Sequence, residues 1–334
     1  MVGLRSLDLK SLRRSIDFYI AVICFGFLVV SPLIYNNFFY INALHTASVL
    51  MLAGVAWVIM GGYTGLISFG HAAFFGLGAY TLALTYNWGV LPWLGLVLGG
   101  CVAALFAAAV SYPLLRLKGR WFSLATLAMA EALKLYFNNW DFVGGSRGIE
   151  LFRKEYGLEW IYFASPIYYN YVAYAVLIAS LIVLNMIVKS RFGYYTQAIR
   201  ESEETAMAVG INTFRYKQLA MVVSGFFTGI AGALYTIRFR FIDPFAVMDF
   251  AQSLQIIVIS VAGGIFTLVG PIIGALIITP IAEYVRAVLG GTYGAKFFGI
   301  HMLIYGVILL ALVLYSPGGL HDVILKLKEG RKRE

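Results

Sequence analysis

The chain has 334 residues, 61% of them hydrophobic and only 12% charged, with a mean hydropathy of +0.83. Charged residues make up about 25% of an ordinary soluble domain, so this composition excludes a water-soluble globular protein, and the length of the apolar runs excludes a strand-built barrel. The formal charge of +9 is spread through short loops between apolar runs, which excludes a nucleic-acid surface in favour of a basic face on an anionic bilayer.

Arg5, Lys10, Arg13 and Arg14 precede an apolar run from Phe18 to Tyr35 that resembles a signal peptide. The run is too long for a signal-peptide core and no A-x-A-like site follows it, so an uncleaved first span is expected. Spans of roughly 20 apolar residues are expected near 18–35, 41–60, 72–87, 91–113, 121–138, 167–188, 218–237, 250–266, 270–286 and 299–316. The fold class is therefore an all-α integral membrane bundle of about ten spans. Threading the chain with a cytoplasmic N-terminus puts 17 of the 25 Lys and Arg residues inside and 7 outside, with Lys134 within a span. The positive-inside rule then places both termini in the cytoplasm. The division is a basic N-terminal segment over 1–17, a membrane domain over 18–320 with an outer loop at 138–166 and a cytoplasmic loop at 190–217, and a basic tail over 321–334. Cys24 and Cys101 both fall inside apolar runs as small fillers, with no disulfide or metal pattern.

Between Gly61 and Gly78 the sequence GGYTGLISFGHAAFFGLG carries six glycines with Ser68 and His71 in an apolar region. Two readings fit: close helix packing through small residues, or a broken helix in which Ser68, Gly70 and His71 line a translocation path. His71 has no partner at metal-ligand spacing. In the fifth span, Glu131 and Lys134 share one helical face as an intramembrane charge pair, either structural or a proton relay. The outer loop holds turn-forming Gly144, Gly145 and Gly148 and the interfacial aromatics Tyr156, Trp160 and Tyr162.

The cytoplasmic loop, SRFGYYTQAIRESEETAMAVGINTFRYK, contains a short capped helix: Ser202 as N-cap, Glu203 and Glu204 in the first turn, and Gly210 as a left-handed stop. Farther on, Gly225, Gly229 and Ala233 repeat at four-residue spacing, a face for close contact within the chain or against a second subunit. Glu283 and Arg286 repeat the charge-pair spacing. Gly61-Gly62 and Gly263-Gly264 form a faint internal echo.

Glu204, Thr205, Ala206 and Gly210 resemble the EAAxxxG signature of ABC-importer permeases, with Thr for the first Ala. Four longer blocks, Gly65–Leu84, Leu124–Ile149, Ser190–Ala220 followed by Ser224–Thr236, and Val261–Ile277, resemble in order the branched-chain amino acid permeases of the LivM type. That resemblance implies a permease domain that imports branched-chain or other hydrophobic amino acids, with permeases for urea, amides or other small solutes as the alternative. It implies a coupling helix made by Glu203, Glu204, Ala206 and Gly210. It also implies a second related permease, two ATP-binding subunits that carry ATP and magnesium, and an external solute-binding protein docking on the outer loop. A prokaryotic cell membrane is the implied location.

No G-x-x-x-x-G-K-[ST], HExxH, GxSxG or CxxC motif occurs, so an ATPase or other catalytic site is not expected in this chain. The rival class is an ion-coupled carrier using Glu131, Lys134 and His71.

Overall fold

The computed structural model describes residues 19–20, 22–34, 37–152, 156–293, 306–307 and 319–320, with the backbone alone over 288–293. Within these residues the helices are α1 (Val22–Ile34), α2 (Phe38–Gly61), α3 (His71–Asn87), α4 (Pro92–Leu114), α5 (Arg120–Asn138), α6 (Pro166–Lys189), α7 (Arg191–Glu201), α8 (Glu203–Ala208), α9 (Thr213–Phe239), α10 (Pro244–Val247), α11 (Phe250–Gly263) and α12 (Gly270–Tyr293). Among the described residues six stretches are long and apolar enough to cross a membrane: α2, α4, α6, α9, α10 joined to α11, and the first 18 residues of α12. The expected all-α class holds, and the chain is a polytopic membrane protein.

Every expected span from 18–35 to 270–286 coincides with a helix. The span expected at 218–237 begins earlier because Asn212 Oδ1 caps α9 by accepting from Arg215 N at 3.0 Å. The span expected at 250–266 stops at Gly263, where Gly264 turns to a φ of +131°. The span expected at 299–316, the segment 1–17 and the tail 321–334 lie outside the described residues, apart from two helical residues at 306–307.

Helix α2 is the axis of the bundle. Its sequence is apolar all round, and a helix of that kind has no face to give to water; 94% of its spanning window is buried, against α6, α9, α11 and α12. Helix α3 is equally enclosed by α4 and α9. The small residues on these helices set how closely they cross. A Cβ on Gly78 would lie 1.9 Å from Gly229 O, one on Gly232 1.9 Å from Phe75 O, and one on Gly229 2.7 Å from Ala103 Cβ. The Gly225, Gly229 and Ala233 face is thus an internal seam with α3 and α4, not a contact with a second subunit.

The connections sort to two ends of the bundle. At one end the α2–α3 break, α7 and α8 gather with the α11–α12 turn: Arg200 on α7 reaches Gly62 O, and a Cβ on Gly62 would lie 1.9 Å from Ile265 O. At the other end the long loop after α5 folds back instead of hanging free. Its β1 (Ile149–Glu150) pairs antiparallel with β2 (Phe241–Ile242), and Asn87 at the end of α3 donates to Glu150 O at 2.9 Å and accepts from Phe152 N at 3.2 Å. Such a short strand pair carries no alternation long enough to be read from sequence. The echo between Gly61-Gly62 and Gly263-Gly264 marks two helix–break–helix units whose breaks touch.

Candidate functional site

The α7–α8 segment is built by caps. Ser190 Oγ accepts from Phe192 N at 3.3 Å and opens α7; Ser202 Oγ accepts from Thr205 N at 3.2 Å and opens α8. Gly210, at φ +86°, closes α8: Ile211 N donates to Ala206 O at 3.0 Å and Gly210 N to Met207 O at 2.9 Å. This double closure is a Schellman motif, which satisfies the last carbonyls and turns the chain sharply. A Cβ at Gly210 would meet nothing within 4 Å, so the glycine is required for its backbone angle alone.

The four residues expected to act together here divide into two roles. Glu203 forms an ion pair with Lys217 at 2.5 Å, tying α8 to the N-terminal part of α9. Ala206 is buried beneath the helix. Both therefore hold α8 on its own chain. Glu204 and Gly210 are exposed. Beside them stand Met207, 52% exposed, and Val209, 71% exposed, two apolar residues that the sequence reading passed over. Partial burial pushes the Glu203 carboxyl up, but the hydrogen bond and charge of Lys217 outweigh it and hold the group below the ordinary 4.5. A lowered carboxyl contributes stability that is present above that ordinary value and lost as pH falls through the folded one. Amide protection in α8 is expected to fall selectively below about pH 4.5, and Glu203→Gln is expected to remove that acid sensitivity, as read by hydrogen exchange.

Arg200 joins this segment to the spans. Its Nη1 donates to Gly62 O at 2.9 Å, its guanidinium lies 4.7 Å from the Phe266 ring centre, and Nη2 pairs with Glu201 at 2.6 Å. One side chain thereby touches the end of α2, the α11–α12 turn and α7. Nothing in the spacing of the sequence singles out this arginine among its neighbours.

The segment from Gly62 to Gly70 is non-helical, as the broken-helix reading anticipated in form. Besides Arg200, several neighbours hold it and the start of α3. Ser68 O accepts from Trp57 Nε1 at 2.9 Å, Phe69 N donates to Thr126 Oγ1 at 3.0 Å, Ile67 O accepts from Ser123 Oγ at 2.6 Å, and Ala72 N donates to Ser253 Oγ at 2.8 Å. Ser224 donates to Ala56 O at 2.7 Å, so it accepts from His71 Nε2, also 2.7 Å away. The histidine is thus the Nε2–H tautomer. Ser68, Gly70 and His71 are all buried in this packing. No group of three metal-binding side chains occurs among the described residues.

The charge pair is a triad. Lys134 Nζ lies 2.7 Å from Glu131 Oε2 and 2.7 Å from Asp249 Oδ1, while Asp249 Oδ2 caps α11 by accepting from Ala251 N at 3.1 Å. Asp249 was missed because it lies 115 residues from Lys134; its position before an apolar run is the one sequence signal that could have marked it as a cap. Glu283 and Arg286 also pair, at 3.3 Å.

The family described as "Branched-chain amino acid transport system / permease component" matches residues 39–313, which include all of α2 but its first residue and the whole of α3 through α12. The chain belongs to this family. It is 28% identical over 312 residues to the high-affinity branched-chain amino acid transport system permease protein LivM of Salmonella typhimurium, covering 85% of this chain and 71% of the relative. It is 26% identical over 258 residues to the permease protein LivH of the same kind of system in Escherichia coli, covering 71% and 82%. It is also 26% identical over 238 residues to the ribose import permease protein RbsC of Bacillus subtilis, covering 69% and 70%. No solved structure matches the chain significantly. The family match includes the α7–α8 segment, both glycine breaks and the Lys134 triad.

Proposed function

We propose that this chain is one of two related permease subunits of an ATP-driven importer for branched-chain amino acids, in a prokaryotic cell membrane. The observation that carries the proposal is the family match over nearly all of the described bundle. Relatives named as LivM and as LivH both resemble this chain, which favours a pair of unlike permeases. The sugar permease among the relatives favours assignment of substrate choice to an external solute-binding protein docking at the β1–β2 end. Two ATP-binding subunits carrying ATP and magnesium would meet the opposite, α7–α8 end, which faces the cytoplasm by the charge bias of the loops. There the capped α8 offers Glu204, Met207 and Val209 outward, while Lys217 and Arg200 hold it to the spans. A helix fixed on one side and open on the other is suited to carry force from hydrolysis into the bundle.

The test is leucine uptake into vesicles containing this chain, its second permease, its ATPases and its solute-binding protein. Uptake is expected only with ATP on the α8 side and binding protein on the β1–β2 side. Uptake driven by an ion gradient without ATPase subunits would favour the carrier reading instead.

A further inference from the structure

Helix α5 differs from its neighbours. With 19 residues it is long enough to cross a bilayer, yet it is not among the helices apolar enough to do so. A helix of this kind in a membrane bundle borders water or another polar surface. Near its β1–β2 end it carries Glu131 and Lys134, and the triad they form with Asp249 has one cation and two carboxylates.

The triad is incompletely matched. Asp249 uses both oxygens, one on Lys134 and one on the α11 cap. Glu131 uses only Oε2; its other oxygen has no partner among the described residues, and its side chain is 37% exposed. An ammonium carries three donors, of which Lys134 uses two. The site therefore presents an open carboxylate oxygen beside the third ammonium donor of a lysine that is itself only 7% exposed, with net charge −1. Apolar surface adjoins it. Phe245, 56% exposed, has its ring centre 5.4 Å from Lys134 Nζ, and Phe250, 36% exposed, follows Asp249 directly.

We propose that Glu131, Lys134 and Asp249 form a receiving site for a zwitterionic amino acid at the β1–β2 end. The substrate ammonium pairs with Glu131, its carboxylate accepts from Lys134, and its apolar side chain lies on Phe245 and Phe250. Asp249 is a positioning residue, holding Lys134 toward the start of α11 while capping that helix. This inference rests on the amino-acid import reading. It replaces the purely structural pair and the proton relay with a group whose open carboxylate oxygen and third ammonium donor are matched by the two opposite charges of the substrate.

The test uses the assembled complex in vesicles with its solute-binding protein, and a diazirine-bearing leucine as the photoreactive probe. Glu131→Gln keeps the length of the side chain and leaves Lys134 paired with Asp249. It is expected to lower leucine uptake at least about tenfold, the equivalent of one lost charged hydrogen bond, with assembly and stimulation of ATP hydrolysis by the binding protein retained. Photolabelling in the wild type is expected on the peptides carrying Glu131 and Phe245, and is expected to be lost in Glu131→Gln. Phe245→Ser, which leaves every charge in place, is expected to weaken the same labelling. Normal uptake and unchanged labelling in Glu131→Gln would overturn the receiving site, as would wild-type label falling only elsewhere. A wild-type complex that imports leucine while Glu131→Gln is indifferent defeats the site alone. A wild-type complex that imports no amino acid defeats the import reading itself.

Discussion

Gly232→Leu is expected to abolish the folded bundle, the largest effect of any single change considered for this chain. The first atom of the new side chain would lie 1.9 Å from Phe75 O and 2.7 Å from Phe75 C. Both are backbone atoms of α3, which has no rotamer to yield, and α3 is itself enclosed by α4 and α9. Relief therefore requires α3 and α9 to separate along the Gly78–Gly229 crossing, where the backbones touch as well. Overpacking in a core commonly costs about 1–3 kcal/mol and more where backbone must move. Membrane helices gain much of their association from such close packing, so the loss falls on the interaction that holds the bundle. Gly157→Ala is the control, because its nearest atom would be 4.0 Å away. Detergent-solubilised Gly232→Leu is expected to aggregate on gel filtration at temperatures where Gly157→Ala and the wild type remain monodisperse.

Arg200→Met and Gly210→Val are expected to leave the bundle folded but to separate ATP hydrolysis from import. The two act at opposite ends of one mechanical path. Arg200 is the link from α7 to Gly62 O and the Phe266 ring, so methionine keeps a long apolar stem while removing the hydrogen bond and the cation. Gly210 fixes the exit of α8, and valine has room there but not the backbone angle. A left-handed β-branched residue costs about 1–2 kcal/mol, enough to shift α8 at its outward face. Gly210→Asn, which tolerates the left-handed region, is expected to retain most of the coupling. Equal loss in the Asn and Val variants would place the fault elsewhere than in the backbone angle.

The sequence disclosed the parts of this protein that depend on local chemistry. Ser202 and Gly210 marked the ends of α8 because caps are read from single residues. Runs such as that of α2 marked spans because a membrane helix must satisfy its own backbone. The remainder depended on contacts between distant residues. Glu203 carries the same first-turn signature as Glu204, and only the fold brings Lys217 to one and leaves the other open. Glu131 and Lys134 were visible as neighbours on a helix, while the third member, Asp249, arrives from the start of α11. The Gly225 and Gly229 face was legible as a place of close approach, but its partner, α4, was not. Arg200 was one basic residue among several until Gly62 and Phe266 came to meet it.

The proposed route for the work of ATP hydrolysis into the spans runs through α7, α8 and Arg200. Its most direct test is the ratio of leucine imported to ATP hydrolysed in vesicles holding the complete complex, wild type against Arg200→Met, at equal ATPase occupancy. The ratio is expected to fall about tenfold or more, as for loss of one charged hydrogen bond, while hydrolysis continues. An unchanged ratio, with uptake and hydrolysis both at wild-type rates, would contradict it.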